Sequence, residues 1–223
     1  MERSLLYKEW KKLKWFYIGM LVIGLLLLTY VFMSIGRSFR IVGAGHIWDV
    51  IVNKKQMMFR NLKYFSVVAG ACLGIAQFVP EMLQKRIKLT LHLPMAEKRI
   101  VLVMLGFGQL LTLSIFLIHM IAIVVFSNFY FPTEILLSTL KTVLPWYVAG
   151  LIVQSFVAMI CIEPTWRRRI VNLVMMLGAL QLCYLSSYPG AYASVLYLLL
   201  LVVALVFPYS FLSLYRFKVG EQD

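Results

Sequence analysis

The charged groups of this chain sit at the ends of long apolar runs, and their spacing suits ion pairing and docking rather than bond-making. Glu81 closes one such run and is followed by Lys85, Arg86 and Lys88. A negative charge near a helix C-terminus opposes the helix dipole, so Glu81 needs a cation, and Lys85 at i+4 stands in the favourable Glu-to-Lys order. Among the cations lie Ile87, Leu89, Leu91 and Leu93, before Pro94 and a further pair, Lys98 and Arg99. A solvated loop has no need of leucines, and a bilayer core does not hold five cations. A second acid, Glu163, is followed by Arg167, Arg168 and Arg169. His119 is the one ionisable side chain well inside an apolar run, where a neutral imidazole bonded to a neighbouring helix is the default reading.

Patterns for covalent or hydrolytic chemistry are missing. The chain has no HExxH, no GxSxG and no GxxxxGK[ST] phosphate loop. GFGQLL at 106–111 begins a GxG but lacks the third glycine and the preceding strand of a dinucleotide site. Cys72, Cys161 and Cys183 all fall in apolar runs, as small packing residues do, with no disulfide or metal pattern. No acid sits in the middle of an apolar run, where an ion-driven carrier would place one. No catalytic, cofactor-binding or metal-ligating residue is assigned. A membrane enzyme would have to rely on His46 or His92 near an interface.

The elements that position these groups follow from composition. Of 223 residues, 62% are hydrophobic and 14% charged, and the mean hydropathy is +0.86. Soluble domains run at about 45–50% and about 25%. The chain reads as an all-α integral membrane protein, a single transmembrane domain over 1–223. Six runs are long enough to cross a bilayer, at about 15–35, 64–82, 100–126, 142–163, 170–187 and 191–215. The first is too long for a signal-peptide core and has no cleavage site after it, so it is a retained span. With both termini inside, fifteen of the 22 Lys and Arg residues lie on the inner side and seven on the outer. This is the N-in, C-in arrangement. The net charge of +13 reports that topology rather than nucleic-acid binding, since no basic soluble module carries it. The outer loop 36–63 strains the rule, with six cations against Asp49.

Trp15, Phe16, Tyr17, Phe129, Tyr130, Phe131, Trp146, Tyr147 and Tyr215 lie at span boundaries, as interfacial anchors do. Within spans, Gln77, Gln109, Gln154, Asn172 and Gln181 read as interhelical hydrogen-bonding groups or as points on a substrate path, packing being the default. Gly70 and Gly74 form a GxxxG pair that allows close helix approach. Residues 1–14 read as an amphipathic interfacial helix. Leu6, Trp10 and Leu13 form its apolar face, while Lys8, Lys11 and Lys12 turn to anionic headgroups. With Arg167, Arg168 and Arg169 these are the expected membrane-surface anchors.

On residue chemistry alone, the basic, leucine-bearing segment after Glu81 is either a docking surface for a soluble protein or a second membrane-hugging segment. The run Glu81, basic residues, Leu91-His92-Leu93-Pro94, then Glu97-Lys98-Arg99-Ile100 entering span three resembles the ABC type-2 membrane-domain family. So does the layout of an amphipathic N-terminal helix and six spans with both ends inside. The resemblance implies a cytoplasmic coupling helix between spans two and three, here about Gln84–Leu93, seated in a separately encoded ATPase. Its ATPase-coupling residues would be Glu81, Lys85, Arg86, Lys88, Leu89, Leu91 and Leu93. Arg167–Arg169 would make a smaller cytoplasmic contact or a lipid anchor. The short outer segment SSYPGAYAS and the long basic loop 36–63 depart from the family pattern and bear on the outer gate.

The expected function is therefore a permease subunit of an ATP-driven exporter in the cytoplasmic (inner) cell membrane. It binds no cofactor itself, ATP being held by the partner subunit, and it is not an enzyme. The expected partners are that ATP-binding subunit, a second membrane subunit (identical or not) and membrane lipids, with no nucleic acid. The alternative is a non-transporting scaffold that recruits a cytoplasmic partner through the same segment.

Overall fold

Backbone N–H and C=O groups find no water in a bilayer, so apolar runs of this length satisfy them internally as helices. The computed structural model describes residues 2–43, 45, 51, 59–83, 87, 90, 96–186, 188, 190–192 and 194–219. Among the described residues it has six long helices and no strand. They are α1 (Glu2–Val42), α2 (Phe65–Leu83), α3 (Glu97–Tyr130), α4 (Thr133–Ile162), α5 (Trp166–Tyr184) and α6 (Leu196–Val219), with a short 3-10 turn at Arg60–Leu62. Five of the six are long and apolar enough to cross a membrane. The exception is α5, 19 residues whose opening Trp166 is followed by three consecutive arginines.

Several boundaries differ from the sequence expectation. Residues 2–14 are not a separate interfacial element: α1 runs unbroken for 41 residues, about 60 Å at 1.5 Å per residue. That is twice the roughly 30 Å hydrocarbon core, so its terminal turns stand outside the apolar layer. The buried face of those turns is Leu5, Glu9 and Leu13, whereas Leu6 and Trp10 are more than a third exposed. Span one was expected to end at 35, and the helix continues to Val42, where Gly43 takes a left-handed φ of 83° and ends it without the steric cost other residues meet. The expected outer loop 127–141 shrinks to Phe131 and Pro132, because α3 reaches Tyr130 and α4 begins at Thr133.

Helix α4 is the hub, packed by α2, α3, α5 and α6. Its contact with α2 is made possible by glycines. A Cβ at Gly70 would lie 2.1 Å from the Gly150 carbonyl oxygen, and one at Gly150 would lie 2.5 Å from that of Ser66. The GxxxG pair is thus spent within the chain, with Ser66 Oγ donating to the Trp146 carbonyl at the same crossing. One core cluster joins α1, α2, α3 and α4 through residues such as Phe32, Phe65, Phe116 and Trp146. A second joins α4, α5 and α6 around Ile152, Phe156 and Cys183. A third gathers Leu5, Phe78, Ile100, Met104 and Ile162 at one end of the bundle, termed the foot.

The aromatic expectation divides. Trp15, Phe129 and Tyr215 are exposed, as anchors are, but Trp146 and Tyr147 are core residues. Tyr147 stacks on Phe116 with ring centroids 4.8 Å apart. His119 differs too. It is fully buried, stacked on Phe65 at 4.8 Å and pressed onto Gly24, and neither ring nitrogen has a hydrogen-bond partner among the described residues.

Candidate functional site

At the foot, the N-terminal turns of α1 lie beside the C-terminal turns of α2 and the start of α3. The residues that meet there are charged and buried, which costs free energy unless the charges pair. Glu9 and Glu81 have essentially no solvent exposure. Lys12 Nζ lies 2.9 Å from Glu9 Oε1 and 3.2 Å from Glu81 Oε1. Lys8 Nζ lies 3.0 Å from Glu81 Oε1 and donates to Thr90 Oγ1 at 3.1 Å. Two acids and two lysines make a neutral set, so the group as a whole tolerates burial where any one member would not. Thr90 belongs to the segment between α2 and α3, so the set joins that segment, α2 and α1.

From this set a chain of hydrogen bonds enters the bundle. Gln77 Nε2 donates to Glu9 Oε2 at 3.1 Å and to the Met104 carbonyl at 2.6 Å. Gly108 provides the room for Gln77 and Gln154, since a Cβ there would come within 2.1 Å of Gln77 Oε1 and 2.7 Å of Gln154 Nε2. Thr112 Oγ1 donates to Gln154 Oε1. Gln109 Nε2 donates to Ser155 Oγ at 2.7 Å and to the Leu151 carbonyl at 3.1 Å. Gln77, Gln109 and Gln154 therefore fasten helices together, the default expected of them. Asn172 is buried with its Nδ2 unpartnered among the described residues, and Gln181 is exposed.

A second buried acid, Glu163, stands at the same end where α4 gives way to α5. Arg216 of α6 approaches it at 3.3 Å and Arg168 at 4.0 Å. Arg169 Nε donates to the Glu163 carbonyl at 2.8 Å, and its guanidinium lies 5.4 Å from the Trp166 ring centroid. An open groove of about 490 Å³ beside it is lined by Met82, Leu83, Cys161, Trp166 and Arg169.

Of the expected coupling residues, Glu81 is at the centre of the buried set. Lys85, Arg86, Lys88, Leu89, Leu91 and Leu93 lie outside the described residues, as does the pairing expected between Glu81 and Lys85. Of the expected surface anchors, Lys8 and Lys12 also pair with the buried carboxylates of Glu9 and Glu81. Lys11, Trp10 and Arg167 remain at the surface. Arg168 and Arg169 serve Glu163 first. Sequence reasoning missed Glu9. Its signal was an acid four residues after Leu5 and four before Leu13, on a helical stripe otherwise apolar.

The class that these helices define is an all-helical membrane protein. The chain matches no family model, no curated protein and no solved structure.

Proposed function

We propose that this chain is a permease subunit of an ATP-driven exporter of the ABC type-2 kind, with six spans and both termini inside, in the cytoplasmic membrane. In this reading α5 is the sixth crossing element, its arginines held at the inner surface. The chain pairs with a second membrane subunit and takes its energy from a separate ATPase, so it is not itself an enzyme. The observation that carries the reading is the buried set Glu9, Glu81, Lys8 and Lys12. It fastens the segment after Glu81 to turns of α1 that project beyond the apolar layer. A force applied by a soluble partner at Thr90 would reach α1 through the Lys8 hydrogen bond, and α2 through the charge pairs that Lys8 and Lys12 make with Glu81.

The scaffold reading keeps one observation on its side. Gln77, Gln109, Thr112 and Gln154 bond to groups of the same chain, as packing residues do. Purification in mild detergent from the native membrane discriminates. The permease reading expects a stoichiometric ATPase that is lost when Leu89 and Leu93 are made charged, and Glu81→Ala to uncouple ATP hydrolysis from transport. Recovery of the chain alone, or with a partner that binds no nucleotide, overturns it.

A further inference from the structure

Opposite the foot, α1 and α3 leave a groove of about 670 Å³ between them, within the roughly 300–1,000 Å³ range of ligand sites. Its floor is apolar: Phe32 and Phe126 stack with ring centroids 4.3 Å apart, and Met33 adds a third apolar group. One end carries Arg37 and Arg40, three residues apart and so on one face of α1. Neither arginine has an ion-pair partner among the described residues, and no acid lines the groove among them. The Tyr130 hydroxyl comes to 3.5 Å from where a Gly36 Cβ would stand, placing a neutral hydrogen-bonding group next to Arg37.

We propose that this groove is a site for one anionic phospholipid, its acyl chain on the Phe32–Phe126 floor and its phosphate on Arg37 and Arg40. Three features select that occupant. The groove faces outward between two helices that lipid would otherwise wet. Charge stands at one end only, which matches an amphiphile and not a free anion. From Thr29 to Arg40 is eleven residues, about 17 Å along the helix, close to half of the roughly 30 Å hydrocarbon core, the reach of one leaflet. Arginine is suited to the headgroup, since its planar fork meets phosphate oxygens through paired N–H donors.

The experiment is native mass spectrometry of the detergent-purified full chain. It is titrated with phosphatidylglycerol or with phosphatidylcholine of the same acyl chains. The expected result is tighter binding of phosphatidylglycerol by about tenfold or more, on the scale of two arginine–headgroup contacts, and loss of that preference in R37Q/R40Q. M33W, which fills the floor without changing charge, should weaken both lipids and tests the site if the arginine variant does not fold. A diazirine-bearing phosphatidylglycerol should label residues 29–41 and 126–130. Equal binding of the two lipids, a preference that survives R37Q/R40Q, displacement by inorganic phosphate alone, or labelling confined to other helices would each overturn the proposal.

Discussion

Replacing Lys12 by methionine tests whether the charge set at the foot is held by neutrality. Lys12 is the more buried of the two lysines: its side chain is 15% exposed, against 37% for Lys8. It also serves both acids, at 2.9 and 3.2 Å. Methionine keeps the volume and the stem but removes the charge. Glu81 would retain Lys8 at 3.0 Å, whereas among the described residues Glu9 would retain only the neutral Gln77 amide at 3.1 Å. One carboxylate is then buried without a cation. Breaking a buried pair in this way costs about 3–5 kcal/mol, on the order of the ~5 kcal/mol attraction of charges about 3 Å apart at an effective dielectric of ~20. The neutral pair of changes K12M/E9Q removes one charge of each sign, leaving Lys8 with Glu81. It should recover more than half of the loss. The assay is equilibrium unfolding of the purified chain in mixed micelles with increasing SDS, run on wild type, both single variants and the double. If K12M costs less than about 1 kcal/mol, or if E9Q gives K12M no relief, charge neutrality is not what holds the set and the reasoning fails.

The glycine crossing and the second acid give further expectations. Gly70→Leu places its Cβ against the Gly150 carbonyl, a backbone atom that cannot rotate away. It should cost at least about 1–3 kcal/mol by overpacking, read in the same SDS titration. Gly106→Ala meets nothing within 4 Å and should be neutral or gain up to about 1 kcal/mol from helix propensity. Similar outcomes for the two glycines would contradict the α2–α4 contact. Arg216→Met removes the nearest cation of buried Glu163 and leaves Arg168 at 4.0 Å. It should cost more than Arg167→Met, whose side chain is exposed, and the reverse order by SDS unfolding would refute the pairing. The exposed pair Glu2–Arg99 at 2.9 Å should contribute no more than about 1 kcal/mol, checked by a double-mutant cycle.

By itself the sequence determined that the chain is helical and membrane-borne, because a bilayer admits few other ways to satisfy the backbone. It also marked Glu81 as a charge in need of a partner and Gly70 as a place where helices can approach. Which face of each helix turns inward was decided only in three dimensions. Lipid and protein interior are equally apolar, so hydropathy does not separate Leu6 and Trp10, which face out, from Leu5 and Leu13, which face in. The same ambiguity made Trp146 and Tyr147 look like interface anchors when they are core. The partners of Glu81 were hidden for a different reason. Local spacing points to Lys85, which lies outside the described residues, and carries no sign of Lys8 and Lys12, which come from 73 and 69 residues away and are brought there by the packing of α1 against α2. What the tertiary structure decided is therefore the set of long-range pairs. Long-range charge pairs leave no periodic trace in a chain, because they depend on which helix stands beside which.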